Sequence, residues 1–242
     1  MIRSLQSWTL AALSVSALVV FGWPFLPVAL DPGLAGWLAV AAIFVILVLA
    51  LSVLDGDLIG PKQVATLAAL AGLGSAVRIA TGGTGGLELV FLTVILGGRA
   101  YGPRFGFLLG VATIAVSSLF FGGFGPWTGY QMFATAWVGA GAGLLFGRGS
   151  RFENLFLAGY GFLASYAFGL LLNLWFWPLA TMGTSSLSYQ PEGSVTENFS
   201  SFVLFSLASS TLTWDTVRAV TLALALALIA RPALRTLRRA KF

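Results

Sequence analysis

Uncharged, mostly apolar runs of about twenty residues recur along the chain, set apart by short segments that hold most of its few charges. Such a run is long enough to cross the roughly 30 Å hydrocarbon layer of a bilayer as a helix. Only 9% of the 242 residues are charged and 58% are apolar. A soluble globule of this size has too little interior to hide that much apolar surface. The sequence therefore predicts an all-α fold, a polytopic membrane helix bundle.

The same residues exclude most chemistry. The chain has no cysteine and no histidine. Disulfides, thiolate nucleophiles and imidazole metal ligands or bases are absent with them. Its two lysines, Lys62 and Lys241, sit in no phosphate-cradling glycine loop. The acids are too scattered to nominate a catalytic pair. Ser185, Ser186 and Ser188 lie in a loop with no histidine to activate them. No enzyme, cofactor, metal site or nucleic-acid partner is expected.

The predicted helices run from about Trp8 to Leu30, Leu34 to Leu54 and Pro61 to Ala80. After the glycine-rich break 81–86 comes a segment from Leu87 to Gly98. It is short for a span, so a tilted, broken or re-entrant helix is expected there. Further helices are predicted at Pro103–Phe121, Thr128–Phe146, Asn154–Leu179 and Phe202–Ala230. The segment 181–200 reads as the longest loop. With the N-terminus inside, the inner segments carry every Lys and Arg except Arg78 and Arg218, which fall within helices. The outer loops carry only the acids Asp31, Glu192 and Glu197. This is the positive-inside pattern. It predicts a multi-pass protein of the cytoplasmic membrane with both termini cytoplasmic. The first helix is read as retained rather than cleaved.

Four ionisable residues fall at membrane depth: Arg78, Glu88, Asp215 and Arg218. Such groups are functional candidates because hydrocarbon penalises them. Two readings stand for each. Asp215 and Arg218 are three apart and can pair on one helix face, and Arg78 with Glu88 can tie two helices. Alternatively, Arg78, Glu88 or Asp215 orients a polar ligand. Gln131, Asn173 and the aromatics Trp127, Trp175 and Trp214 gather at the same level. They fit either a lipid-facing aromatic belt or a mostly apolar pocket with a few orienting polar groups.

Small residues repeat every four positions. Gly102, Gly106 and Gly110 form one row, and Gly139, Gly143 and Gly147 another. Both read as close helix packing. In the third helix Ala65, Ala69, Ala76 and Ala80 belong to small-residue rows on more than one side. That is more than one neighbour requires, and it points to an external docking face.

The segments Glu88–Gly110, Gly125–Met132 (GPWTGYQM), Gly139–Gly143 (GAGAG) and Thr213–Val220 (TWDTVRAV) resemble the substrate-specific S component of energy-coupling factor (ECF) importers, of actinobacterial type. The likeness covers Lys62 to Arg239. It implies a six-helix substrate-binding core, here residues 58–242, preceded by two extra transmembrane helices in residues 1–57. It also implies capture of a vitamin-type small molecule on the outer face; the residues already gathered at that level, Arg78, Glu88, Trp127, Gln131, Asn173, Trp175, Trp214 and Asp215, are the candidates to bind it. The partners implied are membrane lipid, a transmembrane coupling (T) subunit and two ATPase subunits. Ala65, Ala69, Ala76 and Ala80 match the family's alanine docking pattern. Cobalamin is the ligand the loop and tail favour, although a flat pyrimidine, flavin or pterin suits the three tryptophans equally. An ion-coupled secondary transporter and a non-transport membrane scaffold are the alternatives from other classes.

Overall fold

A computed structural model describes residues 2–26, 31–54, 60–180 and 186–240, with the side chains of 2–7 and 32 left aside. Among these residues every regular element is helical. They are α1 (Ile2–Phe21), α2 (Pro32–Leu54), α3 (Pro61–Thr81), α4 (Val90–Tyr101), α5 (Pro103–Ser118), α6 (Pro126–Leu144), α7 (Glu153–Ala180), α8 (Val195–Ser206) and α9 (Thr216–Arg239). A 3₁₀ turn, Trp23–Phe25, follows α1, and a π-helical segment, Leu207–Asp215, joins α8 to α9. The expected boundary between residues 57 and 58 lies outside the described residues. So do Lys241, Ser185 and the rest of the first quarter of the 181–200 loop.

Gly33–Leu54, Pro61–Thr81, Glu153–Ala180 and Val195–Arg239 are long and apolar enough to cross a membrane. The protein is therefore a membrane protein. The apolar helical stretches Trp8–Phe21, Val90–Tyr101 and Pro103–Ser118 are shorter. The clearest case is α4, whose 12 residues reach only about 18 Å at 1.5 Å per residue. Ten of them are buried. Protein rather than lipid surrounds α4, so its shortness costs nothing in unsatisfied backbone. Gly102 alone separates α4 from α5, at φ +110°, a conformation that glycine adopts freely.

The glycine rows explain how α4, α5 and α6 approach one another. A Cβ on Gly98 or Gly106 would run into the carbonyl group of Gly139. One on Gly110 would meet the Ala136 backbone at 2.6 Å, and one on Gly143 would meet Pro103 N at 2.5 Å. Main chain lies directly on main chain, which only small residues permit.

The N-terminal pair shares this interior. Ala17, Phe21, Ile43 and Leu47 belong to the same buried cluster as Tyr130, Phe133, Leu222 and Leu226. Phe21 packs edge-on against Tyr130 with ring centroids 4.9 Å apart, and the Trp137 indole N–H donates to Ser14 Oγ at 3.2 Å. Aromatic geometry and a satisfied indole donor fix α1 against α6.

The last helix differs from expectation at both ends. Ser194 and Glu197 form a capping box, with the Glu197 amide donating to Ser194 Oγ and the Ser194 amide to Glu197 Oε2. Helix therefore begins at Val195, inside the segment expected to be loop. It then runs 45 residues to Arg239. At roughly 65 Å it is about twice the hydrocarbon thickness.

Candidate functional site

The residues singled out in the sequence assemble into three groups rather than one pocket. The first joins α3, α5 and α6. Arg78 Nη1 donates to Ser117 Oγ at 2.8 Å and Nη2 donates to Gln131 Oε1 at 3.0 Å. The guanidinium carbon sits 5.6 Å from the centre of the Phe121 ring, a cation–π contact. Its partners are all neutral. Among the described residues Arg78 makes no ion pair, although Glu88 acts on its charge across a longer gap.

The second group centres on Arg218, at the start of α9. Its Nη1 donates to Glu88 Oε2 at 2.6 Å and its Nη2 to both Asp215 Oδ1 and the Ser165 carbonyl oxygen. The guanidinium lies over the Phe91 and Phe168 rings, 5.7 and 5.1 Å from their centres. Ser210 Oγ donates to the other Asp215 oxygen at 2.8 Å, and Asn173 Nδ2 donates to Ser210 Oγ at 2.8 Å. Ser210 belongs to the π segment, whose widened turn puts it five residues before Asp215 yet in contact with it. Such segments are frequent at functional sites. Gly169 on α7 makes room for the carboxylate, because a Cβ there would overlap both Asp215 oxygens.

Glu88 is therefore tied to Arg218 and not to Arg78, the pairing the sequence suggests as a helix tie. Asp215 and Arg218 do pair on one helix face. Asp215 is 1% exposed, whereas the Glu88 side chain retains 35% exposure. One cation here serves two carboxylates, and the Arg218 Nε–H is buried with no acceptor.

The third group is aromatic. Trp175 is buried and stacks on Tyr130, with centroids 4.5 Å apart and planes 6° from parallel. Together with Trp127, Phe176, Trp37, Val40 and Leu179 it lines an apolar cavity of about 250 Å³ between α2, α6 and α7. Trp214 stands apart from all three groups. Its backbone packs on Gly86 and its side chain is exposed.

A fourth cluster, not anticipated from the sequence, lies at the opposite ends of α4 and α9. Glu153 opens α7 and accepts from Arg99 Nε at 2.6 Å, Arg238 Nη2 at 2.6 Å and the Gly149 amide at 2.9 Å. Arg99 also donates to the Leu145 and Phe146 carbonyl oxygens past the end of α6. It is fully buried. The signal that could have found this cluster is that Glu153 is the one acid in a strongly basic stretch. By charge pattern alone its neighbours Arg148 and Arg151 mark only topology.

The four docking candidates, Ala65, Ala69, Ala76 and Ala80, are all exposed on α3. Gly72 is exposed too, and a Cβ there would have nothing within 4 Å. Among the described residues no cluster of acids suits a metal ion.

Neither a family model nor a characterised protein nor a solved structure matches this chain.

Proposed function

We propose that the protein is the substrate-specific S subunit of an ECF-type importer in the cytoplasmic membrane, with both termini cytoplasmic. It captures a vitamin-type small molecule at the Glu88 end and passes it inward with a T subunit and two ATPases. The observation that carries this reading is the α3 surface. A helix apolar enough to span a membrane presents Ala65, Ala69, Ala76 and Ala80 outward, exposed on the surface of the described residues. Small residues allow close backbone approach by a second membrane helix, where hydrophobic burial supplies little drive. The family resemblance of residues 62–239 supports the same reading.

The polar groups around Arg78 and Arg218 are the candidate ligand contacts, and the Trp127–Trp175 cavity is the candidate ring site. Cobalamin is the first ligand to test. The Trp127–Trp175 cavity, about 250 Å³, suits a small ring system better than a whole corrinoid.

The buried Glu88–Arg218–Asp215 group favours a second reading, an ion-coupled secondary transporter, because intramembrane carboxylates serve proton and cation relays. Reconstitution separates the two. The S-subunit reading predicts that the protein alone in liposomes binds its vitamin without accumulating it. Uptake then requires the coupling subunits and ATP. Accumulation by the protein alone under a proton or sodium gradient overturns it in favour of the second.

A further inference from the structure

The two arginines at the Glu88 end are unequally served. Arg218 holds both carboxylates of the neighbourhood, while Arg78 holds none. A guanidinium has five N–H donors. Arg78 uses one on Ser117 and one on Gln131, so three have no acceptor among the described residues. A tie meant only to hold α3 against α5 and α6 needs no charge. Burying part of a cation for two neutral acceptors returns less than a glutamine or serine would give in its place. Ser117 and Gln131 hold the fork in position, Phe121 backs it, and its neighbour on the Nη2 side is the exposed Gly122, which carries no side chain to cover it.

We infer that the ligand carries an anionic group, a carboxylate or phosphate, and that Arg78 is the residue that recognises it. The inference rests on the substrate-binding reading above and narrows its ligand class. A planar fork with spare donors matches two anionic oxygens at once, and such charge-assisted bidentate pairs are about twice as strong as neutral ones. Glu88 sits near enough to act on Arg78 and opposes the arriving anion. Its attachment to Arg218 keeps it from occupying the fork itself.

The test uses the full chain in phosphatidylcholine nanodiscs and matched vitamin pairs: nicotinate and nicotinamide, biotin and its carboxamide, pantothenate and pantothenol. Wild type is expected to bind at least one acid about tenfold or more tightly than its neutral partner. Arg78→Gln should abolish that preference by weakening the acid about tenfold more than its neutral partner, a selective loss that a folding defect does not produce. Arg78→Lys keeps the charge, loses the fork and should fall between; it carries the test if Arg78→Gln fails to fold. Glu88→Gln should tighten the acid severalfold. Equal affinity for acid and neutral partner overturns the inference and leaves the S-subunit reading intact. Failure to bind any of these vitamins overturns the inference, and failure to bind cobalamin, a flavin, a pterin or a pyrimidine as well overturns the S-subunit reading with it. Loss of the acid preference in phosphatidylglycerol nanodiscs assigns the fork to a lipid headgroup and also overturns the inference.

Discussion

The two ends of α4 and α9 carry charge clusters of opposite design. At the Glu153 end one acid is held by two arginines, and both of its oxygens accept more than one bond. Every nitrogen of Arg99 has an acceptor, and no water reaches that side chain. At the Glu88 end one arginine is shared by two acids, its Nε–H has no acceptor, Glu88 is a third exposed, and Arg78 has neutral partners only. A network whose buried acid and arginine nitrogens all find partners fixes helices, even with Arg238 at its edge 30% exposed. An unsaturated one beside a surface keeps binding capacity in reserve. The difference fits an architectural part for the Glu153 end and supports the recognition role we propose for the Glu88 end.

The sharpest way to break this contrast is to remove the acid of the saturated end. Glu153→Ala strands the buried Arg99 charge and should lower stability by about 3–5 kcal/mol. Monodisperse folded protein should largely disappear from size-exclusion profiles. Arg218→Ala comes next, at about 2–4 kcal/mol, less than a fully buried pair because Glu88 is partly hydrated. Adding Glu88→Gln and Asp215→Asn to that variant should restore much of the thermal midpoint, since it removes the stranded carboxylates. An unrestored midpoint would show that packing of Arg218 against Phe91 and Phe168 matters more than its charge.

Glycine substitutions sharpen the comparison on a smaller scale. Gly139→Ala presses a methyl group into Gly106 and Val94 and should destabilise by about 1–3 kcal/mol. Gly72→Ala meets nothing on the exposed face of α3 and should be neutral or stabilising by up to about 1 kcal/mol. The smallest stability effect belongs to Ala69→Leu, which should leave the midpoint within about 0.5 kcal/mol. Its expected consequence is failure to copurify with the coupling subunits. Normal assembly by that variant would remove the docking role of α3.

Sequence patterns with a short range were readable. Six helices, α2 to α7, lie close to where apolar runs, prolines and glycines put them, whereas α1 starts at Ile2 and ends at Phe21, before the expected Leu30; the Asp215–Arg218 pair follows from helical spacing. The start of α8 was equally local, but the Ser194–Glu197 capping box was hidden in a segment too polar to suggest helix. Partners distant along the chain were not readable. Glu88 and Arg218 are 130 positions apart and Arg99 and Glu153 are 54 apart, so only packing decides which arginine takes which acid. Asn173 reaches Asp215 through Ser210 only because a π segment shifts the helical register, and no spacing rule announces that shift.

The central claim is that the Glu88 end binds a small molecule through Arg78. The most direct measurement is mass analysis of small molecules released from protein purified from its native host, wild type beside Arg78→Gln. The account predicts a near-stoichiometric vitamin-type anion from wild type and its loss from a folded variant. An empty wild-type protein that also ignores added vitamins would contradict it.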